Sequence, residues 1–194
     1  MNSKAVYILP FYFSHAKELS NNLDGFSKDD ISFLFETLYL NILENLIGKQ
    51  AKIEIYCIWD ENRKDNLPDE FKNSNYNIVF SDVSKKKLIL ERLSSKEFLS
   101  HKNNLIIFSD AIDIRPSDYE QYFNLLNIED ESLVIAKNKE NSIAVFGFNN
   151  YSEEIINNLI LSNFSYNDFL GRVKSCEHFM HIVNDVLLVR NLYN

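Results

Sequence analysis

Glycine is scarce in this 194-residue chain. There are four, Gly25, Gly48, Gly147 and Gly171, and none clusters with another. Loops that cradle phosphate with their main chain need clustered glycines, because only glycine lets the backbone approach phosphate oxygens closely. No G-x-G-x-x-G and no Walker-type loop occurs, which argues against a dinucleotide-binding Rossmann enzyme and a P-loop NTPase. No G-x-S-x-G elbow occurs either, which argues against an α/β-hydrolase triad. Cysteine is as sparse, with only Cys57 and Cys176. Two cysteines this far apart make no disulfide framework and fit a reduced, cytoplasmic compartment. Cys57 lies in the apolar run Ile55–Ile58 and reads as a small core residue.

Positive charge is in deficit. Lys and Arg total 20 against 28 Asp and Glu, for a net charge of -8. Such a balance repels a phosphate backbone or an anionic bilayer, so neither nucleic acid nor membrane is an expected partner. The one basic run, Lys85-Lys86-Lys87, reads as the solvated first turn of a helix. No run approaches the ~18 apolar residues that span a bilayer. The apolar stretch Ala5–Leu9 ends at Pro10, too short for a signal peptide.

What is present is apolar bulk. Hydrophobic residues make up 45% and aromatics 13%, enough for a full core without staples. No Pro/Gly/Ser-rich linker or internal repeat divides the chain, so residues 1–194 are expected to form a single domain.

Strands are expected at Ala5–Leu9, Ile53–Trp59, Tyr76–Phe80, Asn104–Phe108, Ser132–Ala136 and Ser142–Phe148. Asn104–Phe108 is apolar on both faces, as a central parallel strand should be. Helices are expected from Ser27, with Asp30 completing a capping box, to Gly48. Others are expected at Ser84–Leu99, after Arg115-Pro116 with Ser117 and Glu120 as a second capping box, at Ser152–Leu161 and at Tyr166–Lys174. Val186–Val189 reads equally as a last strand or part of a final helix. The alternation implies right-handed crossovers and an α/β fold: a mostly parallel sheet with helices on both faces.

In such sheets, ligands bind beyond the carboxyl ends of the strands. The residues leaving them are Pro10 with His15 and Lys17, then Asp60 and Glu61, then Ser81 and Asp82, then Ser109, Asp110 and Asp113. Hard divalent cations take oxygen ligands, so these carboxylates could hold one. Asp and Ser are also ordinary turn and cap residues, and Asp60 and Asp82 are read that way. Asp110 with Asp113 is the best site candidate because it follows the most buried strand. A further candidate is the triple His178, His181 and Asp185, spaced to share one helix face and bind zinc. The order His-Glu-x-x-His is absent, and a polar helix surface explains the spacing as well.

The segment Phe108-Ser109-Asp110-Ala111-Ile112-Asp113-Ile114-Arg115-Pro116-Ser117-Asp118-Tyr119, followed by a helix and then Ser132–Ala136, resembles small bacterial nucleotide-diphospho-sugar transferases. The resemblance implies their glycosyltransferase A-type fold, a three-layer sandwich. It also implies a nucleotide sugar or nucleotide as partner and Mg or Mn as cofactor. It places Lys17 and Ser109 on the substrate and Asp110, Asp113 and Asp185 on the metal. In that family, a metal held by carboxylates neutralises the diphosphate and stabilises the leaving group.

The departures are specific. Lys17-Glu18-Leu19 lacks the family's arginine, Lys137–Asn141 lacks its glycines, Gly147 alone answers its glycine-rich segment, and Leu187 replaces a C-terminal carboxylate. Two functions follow as expectations. One is a metal-dependent glycosyl- or nucleotidyltransferase; the other is a relative that kept the fold and serves as a binding or interaction module.

Overall fold

The computed structural model describes residues 3–10, 27–47, 53–72, 76–82 and 86–188. The elements, in order, are β1 (Lys4–Leu9), α1 (Lys28–Ile47), β2 (Ile53–Asp60), β3 (Asn77–Ser81), α2 (Lys86–Leu93), β4 (Asn103–Phe108), β5 (Ala111–Ile112), α3 (Pro116–Leu125), β6 (Ser132–Lys137), β7 (Ile143–Asn149), α4 (Glu153–Leu161), α5 (Tyr166–Arg172), β8 (Phe179–Ile182) and β9 (Leu187–Leu188). Two 3-10 turns, Glu61–Asn66 and Asp69–Lys72, connect β2 to β3.

A seven-stranded sheet runs in the order β3-β2-β1-β4-β7-β6-β8. β1 pairs in parallel with β2 and β4, β2 with β3, and β6 with β8; β7 alone runs against its neighbours β4 and β6. The expected mostly parallel α/β sheet is therefore the observed one. The reversal at β7 follows from its link to β6. A connection of only a few residues between adjacent strands makes a hairpin, whereas a parallel return needs a crossover. In that hairpin the missing glycines are replaced by asparagines. Asn138 Oδ1 accepts the amides of Ser142 (2.7 Å) and Glu140 (3.1 Å). Asn141 takes the left-handed position at φ 69°, which Asn tolerates better than most residues.

Side chains alternate across the strands into two apolar layers. Val6, Ile8, Leu105, Ile107, Val134 and Ala136 face one cluster with Tyr39, Ile42 and Leu43 of α1 and Tyr122 and Phe123 of α3. Ala5, Tyr7, Leu9, Ile106, Phe108, Leu133 and Ile135 face the other, with Leu93 of α2, Ile155 and Ile156 of α4 and Phe169 of α5. Helices thus cover both faces, the three-layer arrangement expected from the sequence. Tyr39 fixes α1 over the sheet through its hydroxyl, which donates to Ile58 O (2.7 Å). Cys57 is fully buried and its thiol is pushed up by desolvation, so it is the inert core residue expected. No described helix is long and apolar enough to cross a membrane.

The Ser27 capping box is present: Ser27 N donates to Asp30 Oδ2 (2.8 Å) and Asp30 N to Ser27 Oγ (3.1 Å). The second expected box is shifted. Arg115, not Ser117, precedes the helix, Pro116 occupies its first turn, and Arg115 N donates to Asp118 Oδ2 (2.8 Å). The helix expected over Ser84–Leu99 is α2 alone, ending at Leu93. Ser94 Oγ turns back to Leu90 O (2.9 Å) and Ser95 Oγ accepts Phe98 N (3.3 Å), local bonds that compete with helical ones.

At the amino end of the sheet, His101 ties three segments together. Its Nε2 lies 3.2 Å from Glu54 Oε1 on β2, and its Nδ1 lies 3.2 Å from the hydroxyl of Tyr7 on β1. That hydroxyl also lies 2.7 Å from Phe98 O, to which it donates its proton. Glu54 also accepts from Tyr56 OH (2.9 Å). The His101 and Tyr56 bonds together hold the Glu54 carboxyl below its ordinary value. A carboxyl with a depressed folded pKa stabilises the fold above its unfolded pKa and loses that contribution as pH falls through the folded value. The wild type should therefore lose more stability than Glu54→Gln between pH 5.5 and 3. Glu54 is half exposed, so the difference should stay within ~1 kcal/mol. Urea midpoints at the two pH values check this, and equal losses would contradict it.

Candidate functional site

The carboxyl ends of β1, β2, β3 and β4 lie at one edge of the sheet, where β4 delivers Ser109 and Asp110. Both are fully buried, and Ser109 N donates to Leu9 O (2.7 Å), extending the β1–β4 ladder. The chain then forms β5, which pairs antiparallel with β9: Ala111 opposite Leu188 and Ile112 opposite Leu187. Asp113 directly follows β5, and Asp185 lies two residues before β9. Asp113 is exposed and adopts φ 69°, a left-handed conformation that Asp adopts more readily than most residues.

Asp113 and Asp185 line one cleft of about 140 Å³, with Arg115, Asp118, Gln121, Tyr122 and Asn184 among its other residues. Its floor is pinned by main-chain bonds. Val183 N donates to Ile135 O (3.0 Å) and Val186 N to Lys137 O (2.8 Å), so the segment before β9 runs along the end of β6. Lys137 Nζ lies 3.4 Å from Asp185 Oδ1 and 5.7 Å from the Tyr166 ring centroid. Burial, with Asp118 as the second cause, pushes the Tyr122 phenol up to about 12. It therefore stays a neutral hydroxyl at neutral pH.

The expected site residues divide accordingly. Asp113 and Asp185 are brought together. Asp110 and Ser109 sit at the root of the same loop but do not line the cleft. Lys17 and His15 lie outside the described residues. Asp60 caps the 3-10 turn after β2, accepting from Asn62 N (3.1 Å), which is the structural role expected of it. Asp82 lines a separate cleft of about 400 Å³ with Glu61, Phe80 and Arg92. The expected helix face carrying His178, His181 and Asp185 does not exist: His181 is in strand β8 and Asp185 in the extended segment beyond it. In extended chain, residues three apart point to opposite sides.

Arg115, Asp118, Gln121, Asn184 and Lys137 were not singled out as site residues from the sequence. The Arg-Pro-x-Asp helix start could have marked the first two, since Asp118 caps the helix that walls the cleft.

Whether these groups fit Mg²⁺ or Mn²⁺ can be read from the donors. Among the described residues, no three His, Cys, Asp or Glu side chains converge on a point that could hold a metal. Asp110 is enclosed, Asp113 faces the cleft, and the Asp185 carboxylate already faces an ammonium. As arranged, the three carboxylates do not form a divalent-ion site.

The sequence matches no family model and no curated protein. Solved structures do match. A proposed nucleotide-diphospho-sugar transferase from Desulfovibrio desulfuricans G20 aligns with a TM-score of 0.68 at 13% identity, covering 95% of this chain and 80% of that one. A CMP:2-keto-3-deoxy-manno-octonic acid synthetase, solved with CTP, aligns at 0.55 with 10% identity, over 95% and 91%. The Rv0371c protein of Mycobacterium tuberculosis H37Rv, solved with manganese, aligns at 0.50 with 8% identity, over 95% and 89%. At such identities the likeness concerns the fold: this chain has the fold of nucleotide-diphospho-sugar transferases and nucleotidyltransferases, as the Ser109–Tyr119 segment implied.

Proposed function

We propose that the protein is a transferase-like binder of a nucleotide-activated sugar or a nucleoside triphosphate. The ligand would lie at the carboxyl end of the sheet, in the cleft between Asp113 and Asp185, reaching Ser109 only if the loop above it opens, and Lys17 would contact its phosphates. The observation that carries this reading is the β5–β9 pairing. It joins the loop after the central strand to the segment that carries Asp185, at the sheet edge where α/β proteins bind ligands. The fold is shared with a synthetase solved with CTP. Glycosyl or nucleotidyl transfer is the chemistry proposed, in the cytoplasm, with Mg²⁺ or Mn²⁺ as the ion to be tested for Asp110, Asp113 and Asp185.

Isothermal calorimetry with nucleoside triphosphates and common sugar nucleotides, each with Mg²⁺, with Mn²⁺ and with EDTA, tests the proposal. At least one should bind, and Asp110→Asn should weaken it on the order of tenfold, about 1.4 kcal/mol. Silence across the whole panel would remove the reading.

A second reading, a binding or interaction module without turnover, is favoured by two observations: Asp110 is fully buried, and Asp185 is already ion-paired. Under it, Asp110→Asn leaves every cellular phenotype of the gene unchanged.

A further inference from the structure

The two edges of the seven-stranded sheet differ. At the β3 edge, Arg92 Nη2 donates to Phe80 O (3.3 Å) and the Lys64 ammonium lies 5.2 Å over the Phe80 ring. Charged side chains of this kind keep an edge strand from pairing with another chain. At the opposite edge, β8 pairs with β6 and with no other described strand. Its residues are Phe179-Met180-His181-Ile182, without Lys, Arg, Asp, Glu or Pro. We propose that this edge is a self-association surface: β8 pairs antiparallel with β8 of a second copy, across a two-fold axis, to form a weak homodimer. The proposal is independent of nucleotide binding.

The main chain gives the register. Phe179 N donates to Glu131 O (3.3 Å) and Val183 N to Ile135 O (3.0 Å). Main-chain directions alternate along a strand, so residues 179, 181 and 183 turn their N–H and C=O toward β6. Met180 and Ile182 turn theirs to the open edge. Across an antiparallel pair, the residues that exchange hydrogen bonds are the ones turned toward the partner. Only one register gives both outward residues a partner inside β8. It sets Met180 of one copy opposite Ile182 of the other, with His181 opposite itself on the axis.

Side chains and charge favour a second copy as the occupant. Met180 is 40% exposed and Ile182 47%. Both lie on one face of the strand, so the pairing brings the two residues of each copy into one apolar patch. The same two residues supply both halves of the contact, as a two-fold interface requires. Phe179, 57% exposed, stands on the other face opposite Val183 of the second copy. Each chain carries a net charge of -8, so two copies repel except where neither presents a carboxylate, and β8 presents none. A four-residue strand makes a contact at the small end of specific interfaces, so a dissociation constant on the order of 100 µM is expected.

Sedimentation velocity of the full chain, from about 5 to about 500 µM, tests the proposal. Wild type should pass from monomer to dimer across this range. Met180→Pro removes an outward N–H and no bond to β6, and Ile182→Lys puts a charge on the edge. Both should stay monomeric at the highest concentration with the circular dichroism of wild type; if the Pro protein does not fold, Ile182→Lys carries the comparison. Phe33→Ser, which removes the 71% exposed phenylalanine of α1, should dimerise as wild type does. The register has its own readout. In a Cys176→Ser background, His181→Cys should cross-link two copies on mild oxidation, because directly opposite residues of this kind stand about 4.5 Å apart at Cα, within disulfide reach. Phe179→Cys in the same background should not. A wild type that is monomeric throughout overturns the proposal and leaves the edge to a strand of another protein. A dimer that survives Ile182→Lys, a dimer lost in Phe33→Ser, or cross-linking at residue 179 in place of 181 overturns it as well.

Discussion

Asn149→Ala should lower stability on the order of 3 kcal/mol, a large loss for removing one small polar side chain. Asn149 ends β7 and is 3% exposed. Its Oδ1 accepts Ser132 N (2.6 Å), and its Nδ2 donates to Leu126 O (2.7 Å) and Glu129 O (2.7 Å). One side chain thereby joins the end of α3, the turn beyond it and the start of β6 to the neighbouring strand. Alanine supplies none of these partners. Glu129 O keeps the Ser132 hydroxyl (2.9 Å) as a donor, but the Ser132 amide and the Leu126 carbonyl lose theirs in a site closed to water. A buried polar group left unmade costs ~1–3 kcal/mol, so two of them set the expected magnitude. Urea unfolding of wild type, Asn149→Ala and Asn149→Asp resolves the parts. Aspartate keeps the acceptor for Ser132 and should lose less than alanine only if that bond matters more than the charge it buries. A loss below ~1 kcal/mol for alanine would mean that water replaces the side chain.

Nothing in the sequence marks Asn149 for this work. Asn149-Asn150 reads as an ordinary strand end, because the groups that Asn149 satisfies belong to residues 126 to 132, and only the folded sheet sets them beside it. The strands themselves were legible for the opposite reason. Val6 and Ile8 alternate with Ala5, Tyr7 and Leu9 within a few residues, and local periodicity is written in consecutive positions. Strands β1 to β4, the β6–β7 hairpin and the cap of α1 all rest on such short-range signals. β8 is not read as a strand from the sequence because Phe179–Ile182 has four residues and the 178/181/185 spacing suits a helix face. It is a strand because β6 offers it an edge. The cap of α3 falls two residues before Ser117 for a related reason: Ser117/Glu120 and Arg115/Asp118 both satisfy an i, i+3 pattern, and Pro116 at the first turn decides between them.

The candidate site divides along the same line. That carboxylates leave the central strand at Asp110 and Asp113 is a property of adjacent residues, and it could be read directly. That Asp185 comes to the same cleft depends on the two-residue pairing of β5 with β9. That its charge is met by Lys137 depends on the run of the 183–186 segment along β6. The resemblance in the Ser109–Tyr119 segment pointed to the fold, and the fold supplied the juxtaposition. It could not supply the charge state of the cleft, because the Lys137–Asp185 pair is particular to these two residues.

Gly147→Val should be at least as costly as Asn149→Ala, with a loss on the order of 3 kcal/mol or failure to fold. Gly147 lies on β7, which runs against its neighbours β4 and β6 in the seven-stranded sheet, opposite Leu105 and Val134. A Cβ at this position would stand 2.6 Å from Leu105 Cδ2, 3.2 Å from Val134 Cβ and 3.4 Å from Leu126 Cδ1. The Leu105 methyl could turn aside, but Leu105 is fully buried among other core residues. Val134 Cβ is fixed to the β6 main chain and yields only if the strand moves. Alanine should therefore already cost ~1–3 kcal/mol, and valine adds two methyls to the same space. This bears on function as well as stability. Gly147 is the one residue that answers the glycine-rich segment of the nucleotide-sugar transferases, and a ligand-approach glycine makes the opposite prediction. If a ligand required it, Gly147→Ala would fold with a wild-type urea midpoint and lose nucleotide binding. If packing requires it, the midpoint falls first, and any protein that remains folded binds whatever the wild type binds. The contacts with Leu105, Val134 and Leu126 support packing, and a wild-type midpoint for Gly147→Ala would show that reading to be mistaken.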